Sequence, residues 1–408
     1  MIVGIVTGAV AGAGANLAAA GSPGLVWFIG HVSDPIGQIF LRLLVMLVVP
    51  LLFSALVVGV GELDFRHLGR VGAKTLGYTV VVSAVAVAIG LILVNLVQPG
   101  AGVSEEVRAL ALRGKAPAAA TAPSSAVGLV IALVPANAVK AAADGDMIGW
   151  MVFSLCFGVA LSVTRSAAAD RLRELVQGLY DVLMKMIDGV LLAAPVGVGA
   201  LLFTMTASTG LGLVRQLGAY VAVVLVGLAL HMFGVYSLTV RLLGGRSPLA
   251  FFRDVRLAML TAFSTASSSA TLPTAIKVAD ENLKLPRHVS RFVLTAGSAM
   301  NQNGTALFEG VTVLFLAQLF GIHLGIAQQA MVMGICVLGG IGTAGVPAGS
   351  IPVIAMILGL FGIPVAGLGL IMGVDRFLDM CRTTLNVTGD LAAAVYVARG
   401  EPEPPAAG

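Results

Sequence analysis

Asp375, Asp379, Arg382, Asn386 and Asp390 follow one another at steps of 4, 3, 4 and 4 residues inside an apolar stretch from about Ile363 to Val397. At 3.6 residues per turn these steps lay a single polar stripe along a helix. Hydropathy assigns that helix to a membrane. There an ionisable side chain near the bilayer centre costs roughly 2.5–3.5 kcal/mol on insertion scales. The stripe therefore cannot face lipid and must line a site enclosed by protein. The chemistry on offer is charge recognition, because a planar guanidinium grips a carboxylate with two parallel hydrogen bonds. The plainer reading is a structural ion-pair network between helices. Against it, Asn386 and Asp390 have no cation on their face beyond Arg382.

The elements that must position this stripe are set by composition. Of 408 residues 58% are hydrophobic and 11% charged, against about 25% charged in soluble domains, so the chain reads as an all-α integral membrane protein. The longest polar stretches, Gln98–Ser125 and Glu401–Gly408, are short and rich in Ala, Gly and Pro, which argues against a separate soluble domain. The net charge of +4 does not point to nucleic acid, because the basic residues sort by membrane side. Cys156, Cys336 and Cys381 are isolated and the five His are scattered, which excludes disulfide and metal frameworks. With no basic n-region at the start, the first segment is expected to stay as a helix.

A spanning helix needs about 20 apolar residues. Candidates are 2–20, 35–60, 72–97, 126–164 (broken at Pro135), 175–207 and 212–243. From Ser247 to Ala279 and from Ile326 to Ile363 the apolar run is interrupted midway, at 264–273 and 339–350, by Ser, Thr, Gly and Pro. The flanking arms are too short to span, which predicts two re-entrant hairpins turning at mid-membrane where protein or a water-filled cavity covers them. The following helices, 289–319 and 366–397, are each expected to carry a polar break, at Asn301–Thr305 and Asn386–Asp390. Paired interrupted segments in corresponding positions point to a transporter's binding site, although Gly-rich interruptions also occur in helix-packing faces.

Lys and Arg set the orientation. Arg66, Arg70 and Lys74, then Arg165, Arg171 and Arg173, then Arg241 to Arg256, then Lys277 to Arg291, all fall on one face if eight spans are crossed and each hairpin returns to its own side. The opposite face has Arg108, Arg113, Lys115 and Arg215. Both termini are then cytoplasmic in a multi-pass cell (plasma or inner) membrane protein. The hairpins enter from opposite sides as an inverted repeat, which suggests alternating access.

Four segments, Ser267-Ser-Ser-Ala-Thr-Leu-Pro273, Asn301-Gln-Asn-Gly-Thr305, Gly342-Thr-Ala-Gly-Val-Pro347 and Asp379 to Asp390, resemble the dicarboxylate/amino acid:cation symporter family, that of the glutamate and aspartate transporters. The resemblance covers essentially the whole chain. It implies eight transmembrane helices plus two re-entrant hairpins in a homotrimer working as an elevator. Residues 1–71 and 126–207 would be scaffold helices one, two, four and five. Residues 72–97 (helix three) and 208–398 would form the transport domain, with 98–125 an outer loop and 399–408 a cytoplasmic tail. Position by position, Arg382 resembles the partner of the substrate side-chain carboxylate, Asp379 with Thr383 the acceptor for its α-ammonium, and Asn386 beside Thr305 the ligand of its α-carboxylate. Ser268 and Ser269 at the first tip and Val346 and Gly349 at the second would close over the ligand with backbone groups, where half-helix N-termini favour an anion.

The same resemblance implies one sodium site from Asp390, Asn386, Asn301 and the Gly297 carbonyl, and a second from the carbonyls of Ile341, Thr343 and Ala299. A third site lacks its carboxylate at Asn303 and a hydroxyl at Val82 beside Ser83, and is expected to be empty or weak. Gln302 stands where the family has Met, and Ala266 where some members carry Arg. The expected function is symport of aspartate or glutamate with Na+ or H+, with no organic cofactor and no enzymatic activity. Neutral or sulfur amino acids and C4-dicarboxylates are the alternatives within transport. An intramembrane serine hydrolase built on Ser267–Ser269 has no His in a comparable motif, and an anion channel is a further class separable by currents without a substrate gradient. Glu309 is either a proton-carrying carboxylate or a satisfied polar contact, Arg376 faces away from the stripe, and Gly8, Gly12 and Gly14 are helix-packing positions.

Overall fold

The computed structural model describes residues 2–61, 70–102, 134–144, 147–209, 212–342 and 350–401, and among them all regular structure is helical. The chain opens with α1 (Ile2–Ala19), a short α2 (Pro23–Phe28) running into a π-helical turn, α3 (Asp34–Met46) and α4 (Val48–Gly61). The helix expected over 35–60 is thus split at Leu47. Pro50 has no N–H to offer the Met46 carbonyl, so the ladder cannot run through. Next come α5 (Arg70–Val97), α6 (Ala138–Asp144), α7 (Met147–Val163) and α8 (Ala167–Thr209). The proposed start of the fourth span and most of the outer loop lie outside the described residues.

α1, α3, α4, α7 and α8 pack on one another. The α1–α8 seam is a backbone-to-backbone approach. A Cβ at Gly4 would stand 2.0 Å from the Pro195 carbonyl oxygen, one at Gly8 2.2 Å from that of Gly199, and one at Gly12 2.1 Å from Thr206 Oγ1. Gly8 and Gly12 are packing positions, as expected; Gly14 faces open space and is not.

The remaining chain wraps the polar stripe. α9 (Gly212–Ala229) passes through π-helical Leu230–Val235 into α10 (Tyr236–Leu242). The first hairpin is α11 (Pro248–Thr265) and α12 (Ser268–Glu281), followed by α13 (Arg287–Met300) and α14 (Asn303–Leu319). The second is α15 (Ile326–Gly342) and α16 (Ser350–Leu360), followed by α17 (Leu368–Ala398). The first hairpin turns inside the 264–273 interruption, as expected. The first turns at Ala266, a left-handed residue (φ 49°, ψ 37°) that ends α11. The tip of the second, 343–349, lies outside the described residues. α5, α9 and α11 to α17 form the second packing group, with α14 and α17 at its centre, and α8 and α4 meet it from the first.

A large apolar core encloses a polar group, and large apolar side chains also face outward. Asn301, Asn303, Glu309, Asp375, Arg382 and Asp390 are buried, while Leu17, Leu192, Leu249 and Ile326 are more than four-fifths exposed. An apolar outer surface is what a lipid solvent selects, with ionisable groups kept away from it. Arg70–Val97 and Arg215–Leu242, 28 residues each, are long and apolar enough to cross a membrane.

Candidate substrate and cation site

α17 is one continuous helix; the polar break expected at Asn386–Asp390 is absent. Gly389 stays helical, and its missing side chain lets a neighbouring element in: a Cβ there would lie 2.3 Å from the Tyr236 hydroxyl. With the helix intact, the stripe keeps its register. Asp375, Asp379, Arg382, Thr383, Asn386 and Asp390 are all buried, whereas Arg376 is exposed on the other face.

Arg382 is the hub, 1% exposed. Its Nη1 donates to Asp375 Oδ1 at 2.9 Å and its Nε to Asp379 Oδ1 at 3.0 Å, with Nη2 2.9 Å from the same oxygen. Its guanidinium also lies 4.1 Å over the Phe308 ring. A guanidinium carries five N–H groups, so donors remain on Nη1 and Nη2 for an added carboxylate. Sequence reasoning put Asp375 on the stripe but gave it no role. Its i−7 spacing from Arg382, two turns along the same face, was the available signal. Nothing in the sequence marked Phe308.

The α13–α14 break faces the stripe. Asn301 (ψ 58°) and Gln302 (ψ 55°) leave helical geometry, and Gly304 allows close approach, since a Cβ there would be 2.8 Å from the Arg382 carbonyl oxygen. Asn386 reaches across to this break. Its Oδ1 accepts from the Gly304 N–H at 2.7 Å, and its Nδ2 donates to Gln302 Oε1 at 2.5 Å and to Thr305 Oγ1 at 3.1 Å. An amide has two N–H donors, so both are in use. A substrate α-carboxylate would have to displace one of them, and the longer bond to Thr305 is the one to yield.

One turn further along α17, Asn301 Nδ2 donates to Asp390 Oδ1 at 2.9 Å, and a Cβ at Gly297 would fall 2.6 Å from that oxygen. Asn301 Oδ1 is buried with no hydrogen-bond partner among the described residues. A carboxylate, an unpartnered amide oxygen and the nearby Gly297 backbone make a hard-oxygen donor set that fits a cation such as Na+. Asn386, expected in this set as well, is committed to the break instead. Ala299 lies in α13 and Ile341 at the end of α15, while Thr343, Val346 and Gly349 lie outside the described residues.

At the third expected cation position the side chains are joined by neutral hydrogen bonds. Ser83 donates to Asn303 Oδ1 at 2.5 Å, Asn303 Nδ2 donates to the Tyr236 hydroxyl at 3.0 Å, and Val82 is buried beside them. At the first hairpin tip, Ser267 caps α12 through the Ala270 N–H at 3.2 Å. Ser268 is buried with its hydroxyl unpartnered among the described residues, and Ser269 is exposed. Pro273 inside α12 supplies no N–H to the Ser269 carbonyl four residues back. Glu309 is fully buried on α14, and neither carboxyl oxygen has a partner among the described residues. It abuts α15, where a Cβ at Gly339 would be 3.3 Å from Oε2.

Residues 1–400 match the family model described as the sodium:dicarboxylate symporter family. The proton/glutamate-aspartate symporter of Escherichia coli (strain K12) is 35% identical over 380 residues, 92% of this chain and 86% of its own length. The proton/sodium-glutamate symport protein of Geobacillus stearothermophilus is 31% identical over 407 residues, covering 98% and 92%. C4-dicarboxylate transport protein 2 of Mesorhizobium japonicum is 34% identical over 379 residues, covering 92% and 85%.

Proposed function

The chain belongs to the sodium:dicarboxylate symporter family of membrane transporters, and from that premise we propose that it takes up aspartate or glutamate together with Na+ or H+. The observation that carries this reading is a buried Arg382 between Asp375 and Asp379. Arg382 offers its remaining donors to the substrate side-chain carboxylate. Asp379, with Thr383 beside it, accepts the α-ammonium, and Asn386 with Thr305 receives the α-carboxylate. Ser268 and Ser269 would close one side, and the second hairpin tip, with Val346 and Gly349, the other.

Charge explains why cations must travel too. One buried guanidinium faces three buried carboxylates on the same stripe, Asp375, Asp379 and Asp390. An anionic substrate adds to that imbalance in a medium where each uncompensated charge costs several kcal/mol. A cation held by Asp390, Asn301 and the Gly297 carbonyl offsets it. A second, between the carbonyls of Ala299, Ile341 and Thr343, or a proton carried by Glu309, offsets it further. Each positive charge moved through 100 mV contributes about 2.3 kcal/mol, so one or two coupled cations suffice for strong accumulation.

The two packing groups support an elevator, in which the α5 and α9–α17 group slides against a homotrimeric scaffold of α1–α4 and α6–α8, with eight spans and both termini cytoplasmic. A C4-dicarboxylate is the second reading, favoured by one detail: one of the two Asp379 oxygens is already held by two Arg382 nitrogens, which leaves less of that carboxylate for an ammonium. Radiolabelled aspartate uptake into proteoliposomes, with Na+ and pH gradients imposed separately, tests the proposal. Accumulation under at least one gradient is expected; none under either refutes coupled symport.

A further inference from the structure

Gln302 takes part in the break twice over. Its backbone forms the break, while its side chain, 3% exposed, joins the two walls of the site. Nε2 donates to the Ser298 carbonyl at 2.9 Å, and Oε1 accepts from Asn386 Nδ2 at 2.5 Å. The α13 ladder closes with the Asn301 N–H on the Gly297 carbonyl at 2.8 Å. Beyond that point the last-turn carbonyls lack a following turn to satisfy them. In a membrane such carbonyls need a donor or a cation. Ser298 receives its donor from the chain itself, through a neutral amide.

The other end of the same amide fixes which way Asn386 points. Because Gln302 Oε1 takes one Asn386 N–H, the Asn386 oxygen is turned to the Gly304 N–H and its second N–H to Thr305. A first-arm residue of the second hairpin packs against this point: a Cβ at Gly340 would lie 3.4 Å from the Gln302 carbonyl oxygen. The side chain thus ties the end of α13 to the α17 stripe, and the backbone of the same residue meets the hairpin arm near its inner end.

We propose that Gln302 is the positioning residue that sets how strongly substrate binding depends on the co-transported cation: it holds the α13 end and Asn386 in their binding arrangement without an ion, so that acidic substrate binds in the absence of Na+. The inference rests on the reading of this break as the substrate and cation site. It deepens that reading by assigning the ion requirement to one side chain.

The test compares the purified full-length protein with Gln302→Met, which keeps the length and loses both polar ends, and Gln302→Glu, which keeps the acceptor for Asn386 and loses the donor to Ser298. The melting temperature is measured with L-aspartate and with succinate, in choline chloride and in sodium chloride. Initial uptake rates against Na+ concentration follow in proteoliposomes. The wild type is expected to be stabilised by an acidic ligand in both salts. Gln302→Met is expected to bind at least 10-fold more weakly in choline and to come within about 3-fold of wild type at saturating Na+, with Gln302→Glu between them. Equal weakening in both salts, or none, overturns the inference, as does a wild type that responds only in sodium chloride. A wild type that responds to neither acid in either salt refutes the underlying reading of the site as well.

Discussion

Replacing Asp379 by Asn separates an amino-acid carrier from a dicarboxylate carrier. The substitution is nearly isosteric and keeps an oxygen for Arg382, whose Nε and Nη2 stand 3.0 and 2.9 Å from Oδ1. Asp375, 2.9 Å from Nη1, still neutralises the guanidinium, so no buried cation is stranded. What is lost is one negative charge where an α-ammonium would sit. A hydrogen bond to a charged partner contributes about 1.5–3 kcal/mol net. At 2–3 kcal/mol the affinity for L-aspartate falls roughly 30- to 150-fold. Succinate has no ammonium to lose, and the pocket it enters is less negative, so its affinity holds or rises. The assay is competition of unlabelled aspartate and succinate against radiolabelled uptake, with melting temperature as the control for folding. Equal losses for both acids would refute the assignment, since Asp379 would then serve only to hold Arg382. An unchanged aspartate affinity would place the ammonium elsewhere.

Three further outcomes follow from local geometry. Ala266→Gly relieves a left-handed alanine, about 1–2 kcal/mol, against roughly 0.4–1 kcal/mol of added unfolded-chain entropy, so the melting temperature rises slightly; a fall would show that the buried Cβ matters more. Gly389→Ala drives a methyl into the Tyr236 hydroxyl, 2.3 Å away, and destabilises by about 1–3 kcal/mol, a loss that Tyr236→Phe partly restores in the double variant. At the end of α17, the Lys74 ammonium at 2.8 Å and Arg70 at 3.7 Å hold the Glu401 carboxyl below the ordinary glutamate range. Because the folded value is the lower one, this contribution is complete above about pH 4.3 and is lost as pH falls through the folded value; the stability gap between wild type and Glu401→Gln should close in acid and shrink with salt.

Much of this arrangement was legible in the residues because a membrane makes polarity expensive. The 4-3-4-4 spacing of the stripe and the small-residue interruption at 264–273 were hard to place against lipid, and the structure keeps the stripe buried and turns the chain at Ala266. Short-range steric effects were less visible. Pro50 splits the second candidate span because it lacks an N–H, but a proline inside a membrane span reads equally well as tolerated. Gly389 looked like a helix break and is a docking notch for Tyr236; glycine's sequence signal is the same for both. The Gln302–Asn386 bond joins residues 84 apart, and no periodicity within one element reports such a pair.

Two neutral amides at the α13–α14 break act in one direction. Asn303 accepts from Ser83 and donates to the Tyr236 hydroxyl. Gln302 donates to the Ser298 carbonyl and accepts from Asn386. Both keep their oxygens paired by the chain itself. Asp390 is different: its neighbour Asn301 keeps a buried oxygen with no partner among the described residues, and an unpaired polar atom at that depth costs about 1–3 kcal/mol. Relief of that oxygen by a cation is the favourable term still available, which concentrates the ion requirement at the Asp390 end of the stripe. On the proposed reading, substrate recognition would sit two turns away at Arg382, on the same continuous helix, so that filling one site would bear on the other.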